Sequence, residues 1–401
     1  MIIISYLIIE QKMKVALLST IYGHGKILAD VGTEILSALQ KNPYIKSIDV
    51  LTVKRASSRV RFDSKTNVMG IYSPGEAISY ISLYWKLFRN KYDLIFINSM
   101  PTSQGRSSLS NFLFLIIPLY ARFFLQVKTV VLYHNSTFLN EVDKLGYSSI
   151  ADRFRLLALK ALEKILFKNS NFMVLLKCYA ERIKQSIPDA NIFQINLPFL
   201  GGFASLYLNG ILGLDFIRPD PPHKGMIRIL LFGSWGPQKD LEKALEAISD
   251  LKKSGLNFTT TLAGGVNSHF PEYERVFKKI ILRHKGIITT LHQYVDSKEI
   301  HSLFLNSDLI ILPYVTPGGF SSVLAISKLY NLHVIVPKFT EFIEQGENYD
   351  KITYVPISYT VEDLRDAIRH VKIGNQQKIM ASEAFNQMVE EINNLILKFN
   401  C

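Results

Sequence analysis

The stretch that constrains this chain most runs from Asp308 to Pro337, DLIILPYVTPGGFSSVLAISKLYNLHVIVP. Residues 309–312 form an apolar run that reads as a buried strand, stopped by Pro313. A turn of Pro317, Gly318 and Gly319 follows, then Ser321 and Ser322 open an apolar helix, and residues 334–336 read as a second buried strand. Strand, glycine turn, helix and strand in that order make a parallel crossover, because two such strands cannot be joined by a hairpin across an intervening helix. The helix N-terminus then lies at the carboxyl end of the sheet, where its free N–H groups suit an anion. A glycine turn that serves only as a tight connection would give the same pattern, so this unit alone leaves phosphate binding open.

The same alternation fills the chain. In the first half, strands are expected at residues 15–19, 48–53, 93–98, 129–133, 172–176 and 191–196, and helices at 27–39, 80–88, 148–167 and 179–186. In the second, strands are expected at 227–232, 258–263, 287–291 and 352–355 beside the opening pair. Helices there are expected at 239–253, 271–284, 297–304 with Ser297 as N-cap, 362–371 and 383–399. At 401 residues the chain exceeds one ordinary core, and RPDPPHKG at 218–225, with three prolines and a glycine, is the natural linker. The expected organisation is a first Rossmann-like domain over 13–217, the linker, a second over 226–380, and a C-terminal helix over 381–401 that can pack back on the first domain.

Charge changes at the same place. Residues 1–219 hold 26 Lys and Arg against 14 Asp and Glu, residues 220–401 hold 20 against 20, and the whole formal excess of +12 therefore lies in the first half. An anionic partner is expected there, and in the absence of a nucleic-acid signature a membrane surface is preferred to RNA or DNA. Residues 54–67, KRASSRVRFDSKTN, read as an exposed basic loop. Residues 112–125, FLFLIIPLYARFFL, are interrupted by Pro118 and Arg122 and are too short to span a bilayer; a buried crossover helix is preferred there to an interfacial one. Residues 1–12 are apolar but lack a basic start and a cleavage site, and read as an upstream extension or a surface anchor. Two cysteines, Cys178 and Cys401, cannot build a disulfide framework or a cysteine-rich zinc module, and no His, Cys or acidic cluster stands at ligand spacing. No protein-bound metal or other cofactor is expected.

Several segments resemble a known family in order and spacing. FGSWGPQKDLEKALEAI, LAGG, DLIILPY with its glycine turn, and VIVP are similar to the nucleotide-binding domain of B-type-fold glycosyltransferases, particularly family 4 (glycosyltransferase group 1). MKVALLSTIYGHG and VVLYHN extend the resemblance more weakly into the first half. It implies an α/β fold of two facing doubly wound Rossmann-like domains and transfer of a sugar from a nucleotide-sugar donor; the charge of the first half adds the expectation of a glycan or lipid-linked acceptor, in the cytoplasm at the inner face of the membrane. Carried over by position, Lys239 meets the donor diphosphate, and Gly233, Ser234 and the turn Gly318, Gly319, Phe320, Ser321 and Ser322 complete the donor side. His134 matches the catalytic-side histidine near the transferred sugar, and Gly23 and Gly25 the first-domain cleft loop. The pattern also departs from the family: Ser234 replaces an arginine, and the two family glutamates, eight positions apart, fall on Gly318 and Ile326. Two other readings stand beside the transferase: a nucleotide-sugar epimerase of the same fold, and a non-catalytic sugar-nucleotide-binding subunit.

Overall fold

Runs of apolar side chains buried on both faces are what parallel strands require, and they set both sheets of this chain. The computed structural model describes residues 12–20, 27–54, 62–99, 108–134, 150–195, 215–217, 226–267, 270–291, 295–316, 319–371 and 378–400. They fall into two compact units, the first of residues 12–195 and 385–400, the second of residues 215–384. The expected linker at 218–225 lies outside the described residues, as do the glycine-rich stretch 197–214 and residues 1–11.

The first unit is a seven-stranded sheet in the order β3-β2-β1-β4-β5-β6-β7, every neighbouring pair parallel. Its strands are β1 (Met13–Leu18), β2 (Ile45–Val53), β3 (Thr66–Tyr72), β4 (Leu94–Ser99), β5 (Lys128–Tyr133), β6 (Asn171–Val174) and β7 (Ile192–Gln194). Helix α1 (Ile27–Lys41) joins β1 to β2, α2 (Ser79–Arg89) joins β3 to β4, α5 (Ile150–Asn169) precedes β6, and α6 (Lys177–Ser186) joins β6 to β7. Strand order reverses direction between β1 and β4, the switch point at whose carboxyl edge open α/β sheets form a ligand crevice.

Two expectations change here. The basic stretch at 54–67 is not loop throughout, because Thr66 and Asn67 begin edge strand β3; Gly70 lets this strand lie close to its neighbour, since a Cβ there would stand 2.9 Å from Lys54 Cα. The apolar stretch at 112–125 is not one buried helix either. It divides into α3 (Ser108–Leu115), a four-residue helix α4 (Ile117–Tyr120) with Pro118 in its first turn, and a π-helical turn, Ala121–Leu125, closed by left-handed Gln126. Phe114, Ile117 and Ala121 are buried, whereas Leu109, Phe112, Phe123 and Phe124 are exposed.

The second unit is a six-stranded sheet in the order β11-β10-β9-β12-β13-β14, again wholly parallel. It comprises a short strand β8 (Asp215–Ile217), then β9 (Ile227–Phe232), α7 (Leu241–Lys253), β10 (Phe258–Ala263), α8 (Tyr273–Arg283), β11 (Thr289–Leu291), α9 (Ser297–Leu305) and β12 (Leu309–Ile311). After these come α10 (Ser322–Leu329), β13 (His333–Pro337), α11 (Thr340–Gln345), β14 (Ile352–Val355), α12 (Val361–Arg369), β15 (Lys378–Met380) and α13 (Ala381–Asn400). β8 pairs with β15 in a separate antiparallel ribbon.

Caps rather than propensity set the helix starts. Asp240 caps α7, accepting from Lys243 N at 3.1 Å, so Lys239 stands before the helix and not within it as expected. Asp296, not Ser297, caps α9 and forms a reciprocal capping box with Glu299. At the amino edge of the sheet Arg228 and Asp308 make a buried two-pronged pair, Nε to Oδ2 at 2.9 Å and Nη2 to Oδ1 at 2.8 Å, which ties β9 to β12.

Candidate donor and acceptor sites

At the carboxyl edge of the second sheet, β9 ends in Gly233, whose φ of +135° only glycine adopts without strain. The chain then turns through Ser234, which is exposed, into Trp235, which is fully buried and gives its indole N–H to Ala263 O at 3.2 Å. Gly264 at the end of β10 has φ +104°, and a Cβ there would fall 2.0 Å from Gly233 O, so the two glycine turns interlock. Asp240 N donates to Pro313 O at 2.7 Å and Val315 N to Gln238 O at 3.0 Å, fastening this loop to the one leaving β12.

These contacts place Lys239 between two aromatic rings. Its Nζ lies 5.1 Å from the centre of the Trp235 ring and 5.0 Å from that of Tyr314, and the residue is only 6% exposed. A Cβ on Gly233 would stand 2.6 Å from Nζ, so the glycine leaves the space that the ammonium occupies. No carboxylate or other hydrogen-bond acceptor pairs with this ammonium among the described residues. A buried cation held only by π faces keeps its N–H donors for a ligand, and a diphosphate has the charge and acceptors to take them.

Beyond Tyr314 the turn holds Gly319 at φ +100°, as the glycine motif requires; Pro317 and Gly318 lie outside the described residues. Ser321 caps α10, its hydroxyl accepting from Leu324 N at 3.2 Å. Its own N–H donates to Gln345 Oε1 at 2.8 Å, while Gln345 Nε2 donates back to Ser321 O at 3.1 Å. Ser321 thus holds the helix start through its backbone and its hydroxyl's lone pair, which leaves the hydroxyl proton for the expected donor contact. Ser322 and Val323 follow at the first helical turn, where N–H groups have no intrahelical acceptor. Phe320 is half-buried. Ile326, where the family has its second glutamate, packs 4% exposed in the core and offers no polar group.

The first unit presents its own chain of polar groups across the crevice of its sheet. His134, following β5, donates from Nε2 to Asn98 Oδ1 at 2.6 Å. Asn98, on β4, donates from Nδ2 to Ser19 Oγ at 2.9 Å, and Ser19, following β1, donates to Thr20 O at 2.7 Å. This fixes the tautomer: Nε2 carries the proton, and Nδ1 is left as an acceptor with no partner among the described residues. Burial holds the imidazole well below its ordinary value, at a pKa of about 4, so it is neutral at neutral pH. Gly23, Gly25 and Asn135 lie outside the described residues. Among the described residues no group of three or more His, Cys, Asp or Glu side chains comes together.

Trp235, Tyr314, Gln345, Asn98 and Ser19 were missed as site residues. The aromatic pair had a signal in hindsight, since GSWGPQK and ILPY each set a ring beside the strand end that carries the lysine or its neighbour loop. Gln345 sits 24 residues from Ser321 in the short helix α11, and nothing local in the sequence announces that pairing.

Comparison with known proteins bears on the fold. Residues 215–387 match the family model described as Glycosyl transferases group 1, which covers the second unit's whole sheet. Among solved structures, Alr3699/HepE from Anabaena, in complex with UDP, matches with a TM-score of 0.56 at 15% identity, covering 96% of this chain and 99% of that one. WaaG, a glycosyltransferase involved in lipopolysaccharide biosynthesis, matches with a TM-score of 0.59 at 13% identity, covering 95% and 94%. A candidate UDP-N-acetylglucosamine 2-epimerase from Listeria monocytogenes matches with a TM-score of 0.54 at 13% identity, covering 96% and 95%. No curated protein sequence matches the chain. The fold is thus the two-domain B-type glycosyltransferase fold expected from the sequence, and since it also accommodates the Listeria protein, fold alone does not choose the reaction.

Proposed function

We propose that this chain is a glycosyltransferase of the group 1 kind, moving a sugar, of the hexosyl class, from a nucleoside diphosphate donor to a lipid-linked or glycan acceptor at the cytoplasmic membrane surface. The observation that carries the reading is Lys239: a buried ammonium without a counter-ion among the described residues, beside the rings of Trp235 and Tyr314, at the carboxyl edge of the domain that matches the family. In this mechanism Lys239 and the N–H groups of Ser322 and Val323 take the diphosphate. They neutralise the charge that grows on the leaving nucleoside diphosphate as the glycosidic bond to phosphate breaks. No metal is assigned to this step.

His134 supports transfer over epimerisation. Epimerisation at a carbon needs groups that remove and return a proton near neutral pH. A neutral imidazole with a pKa of about 4 and its Nε2 proton held by Asn98 is a weak base, suited to accepting a hydrogen bond from a sugar hydroxyl through Nδ1. The deciding assay follows release of nucleoside diphosphate from a panel of nucleotide-sugars with and without membrane extract. Release that depends on the extract supports transfer. Formation of an epimer without extract, or binding without any turnover, would overturn it in favour of the epimerase or the non-catalytic subunit.

A further inference from the structure

The first unit exposes an apolar layer that its own sheet does not cover. On α2, Ile78 just before the helix, Ile81, Trp85 and Phe88 recur at helical spacing on the outer face, with Trp85 and Phe88 stacked at 5.9 Å. Beside it, Leu109 and Phe112 of α3 and Phe123 and Phe124 of the π-helical turn are also exposed. The two elements are joined: Tyr84 donates to Leu113 O at 2.6 Å and meets Tyr120 edge-on at 4.7 Å, and Tyr120 stacks on Phe124 at 5.6 Å. The opposite faces of the same elements, including Leu83, Phe114 and Ile117, are buried in the unit's core. The layer is rigidly mounted.

Its charge is predominantly positive. Residues 77–92 and 108–140 contain no Asp or Glu, exposed Glu76 stands at the margin beside Ile78, and Lys86, Arg89, Lys91, Arg122 and Lys128 lie in or beside the apolar layer. Where the π-helical turn meets β5, Arg122 and Lys128 line a depression of about 340 Å³ together with Gln126, Asn169 and Asn171, and no lining residue is acidic. Arg122 there donates to Asn169 O and covers the Phe123 ring at 5.6 Å.

We propose that this layer is a bilayer-docking surface, with Trp85, Phe112, Phe123 and Phe124 entering the acyl boundary and the flanking cations meeting anionic lipid headgroups. The occupant follows from the charge. A second copy of the chain docked by a two-fold axis would bring the same cations face to face, whereas an anionic lipid surface complements them. The surface lies on the membrane and does not cross it: residues 108–125 have the length and hydropathy of a short span, but Pro118 and Arg122 interrupt them and one side is built into the core. The inference gives the proposed lipid-linked acceptor its place of encounter and rests on that reading for its purpose, but its test requires no turnover.

The chain has two tryptophans, and they make that test direct, because Trp85 is 59% exposed and Trp235 fully buried. Vesicles of phosphatidylcholine mixed with phosphatidylglycerol should shift the emission to the blue, and the shift should vanish in Trp85→Phe. Phe123→Ser with Phe124→Ser, both at exposed positions, should weaken vesicle binding by roughly tenfold or more. Lys86→Gln and Arg89→Gln should each weaken it about fivefold at low salt. Circular dichroism checks that each variant is folded. No shift at low ionic strength, a shift indifferent to lipid charge, or binding unaffected by the phenylalanine changes would overturn the proposal. So would a lipid-free dimer that the same changes dissolve. Vesicle binding without nucleotide binding would defeat the transferase reading alone, and turnover on a soluble acceptor without vesicle binding would defeat this one alone.

Discussion

Replacing Lys239 by Met separates a ligand-binding cation from a structural one. The unbranched thioether keeps the side chain's length and fills the slot between the Trp235 and Tyr314 rings, 5.1 and 5.0 Å from the ammonium, while removing charge and donors. In the ligand-free protein two opposing terms change. Two cation–π contacts, about 0.5–2 kcal/mol each, are lost, and the desolvation of an ammonium that has no counter-ion among the described residues is relieved. The two terms oppose, so the net expectation for stability is a small change. Binding moves in one direction: loss of a hydrogen bond to a charged group weakens nucleoside diphosphate affinity by about 1.5–3 kcal/mol, a factor of roughly 10–150. Chemical denaturation of the free protein gives the first quantity, and calorimetry with UDP, GDP and ADP, run on the same preparation, gives the second. Affinity unchanged for the nucleotide that wild type binds best would remove Lys239 from the site. A loss of several kcal/mol in the free protein would show instead that the aromatic slot exists for the lysine's own sake.

Other expectations concern neighbouring groups. Gly233→Ala places a methyl 2.6 Å from Lys239 Nζ at a φ of +135°, and should lower nucleoside diphosphate affinity as well as stability in calorimetry and thermal melts; unchanged affinity would show that the ammonium can act from elsewhere. Gly319→Val, at φ +100°, should likewise cost more affinity than Ser322→Ala, which removes a hydroxyl but keeps the backbone donor. His134 has a folded pKa of about 4, below its unfolded 6.5, so its contribution to stability is complete above about pH 6.5 and is lost as pH falls towards 4, by about 3 kcal/mol at most. His134→Gln should flatten melting temperature over that window, and an unchanged slope would assign it to other groups. Arg228→Met removes the guanidinium from buried Asp308, which keeps the bond from the backbone N–H of residue 228, and should cost about 3–5 kcal/mol in denaturant unfolding with little effect on the nucleotide affinity of the folded fraction.

How much of this was legible depended on whether a feature is local. Residues 227–232 and 258–263 coincide with β9 and β10 residue for residue: IRILLF is an apolar run, broken only by Arg228, whose strand is buried on both faces, and FTTTLA is rich in the β-branched residues that strands favour. Strand β3 escaped notice inside a basic segment: as an edge strand it is half-exposed along its length, and its alternation in TNVMGIY is weak and broken by Gly70. The start of α9 was misread by one residue because Ser297 and Asp296 are both good caps, and only the reciprocal bond with Glu299 separates them. In the site, Gly233 and Gly319 could be named as turn residues, since backbone turns leave glycine signatures, whereas Lys239 was named only through the family resemblance. The partners of His134 could not, because Ser19, Asn98 and His134 come together only through the order in which β1, β4 and β5 lie in the sheet.

That distinction bears on the two missing glutamates. A carboxylate at the position of Ile326 would need water, a ligand or a cation, yet this side chain of α10 is only 4% exposed. Its loss is therefore built into the packing of the helix, and restoring it alone would bury a charge. Ser321 is fixed by Leu324 and Gln345, and Lys328 Nζ adds a bond to Gln345 O at 2.7 Å, so the turn before α10 is held from behind by α11. A turn held this firmly, with one caged ammonium opposite it and free helix N–H groups in front, is well arranged for a diphosphate, whose oxygens are alike from any direction. It is poorly arranged for a sugar, whose hydroxyls must be told apart one by one. Recognition of the sugar would then fall to groups outside this turn; under the proposed function the Nδ1 acceptor of His134, whose ring is held by a bond that reaches back through Asn98 to Ser19, is a candidate, and His134→Gln tests it by lowering turnover while leaving nucleoside diphosphate affinity unchanged.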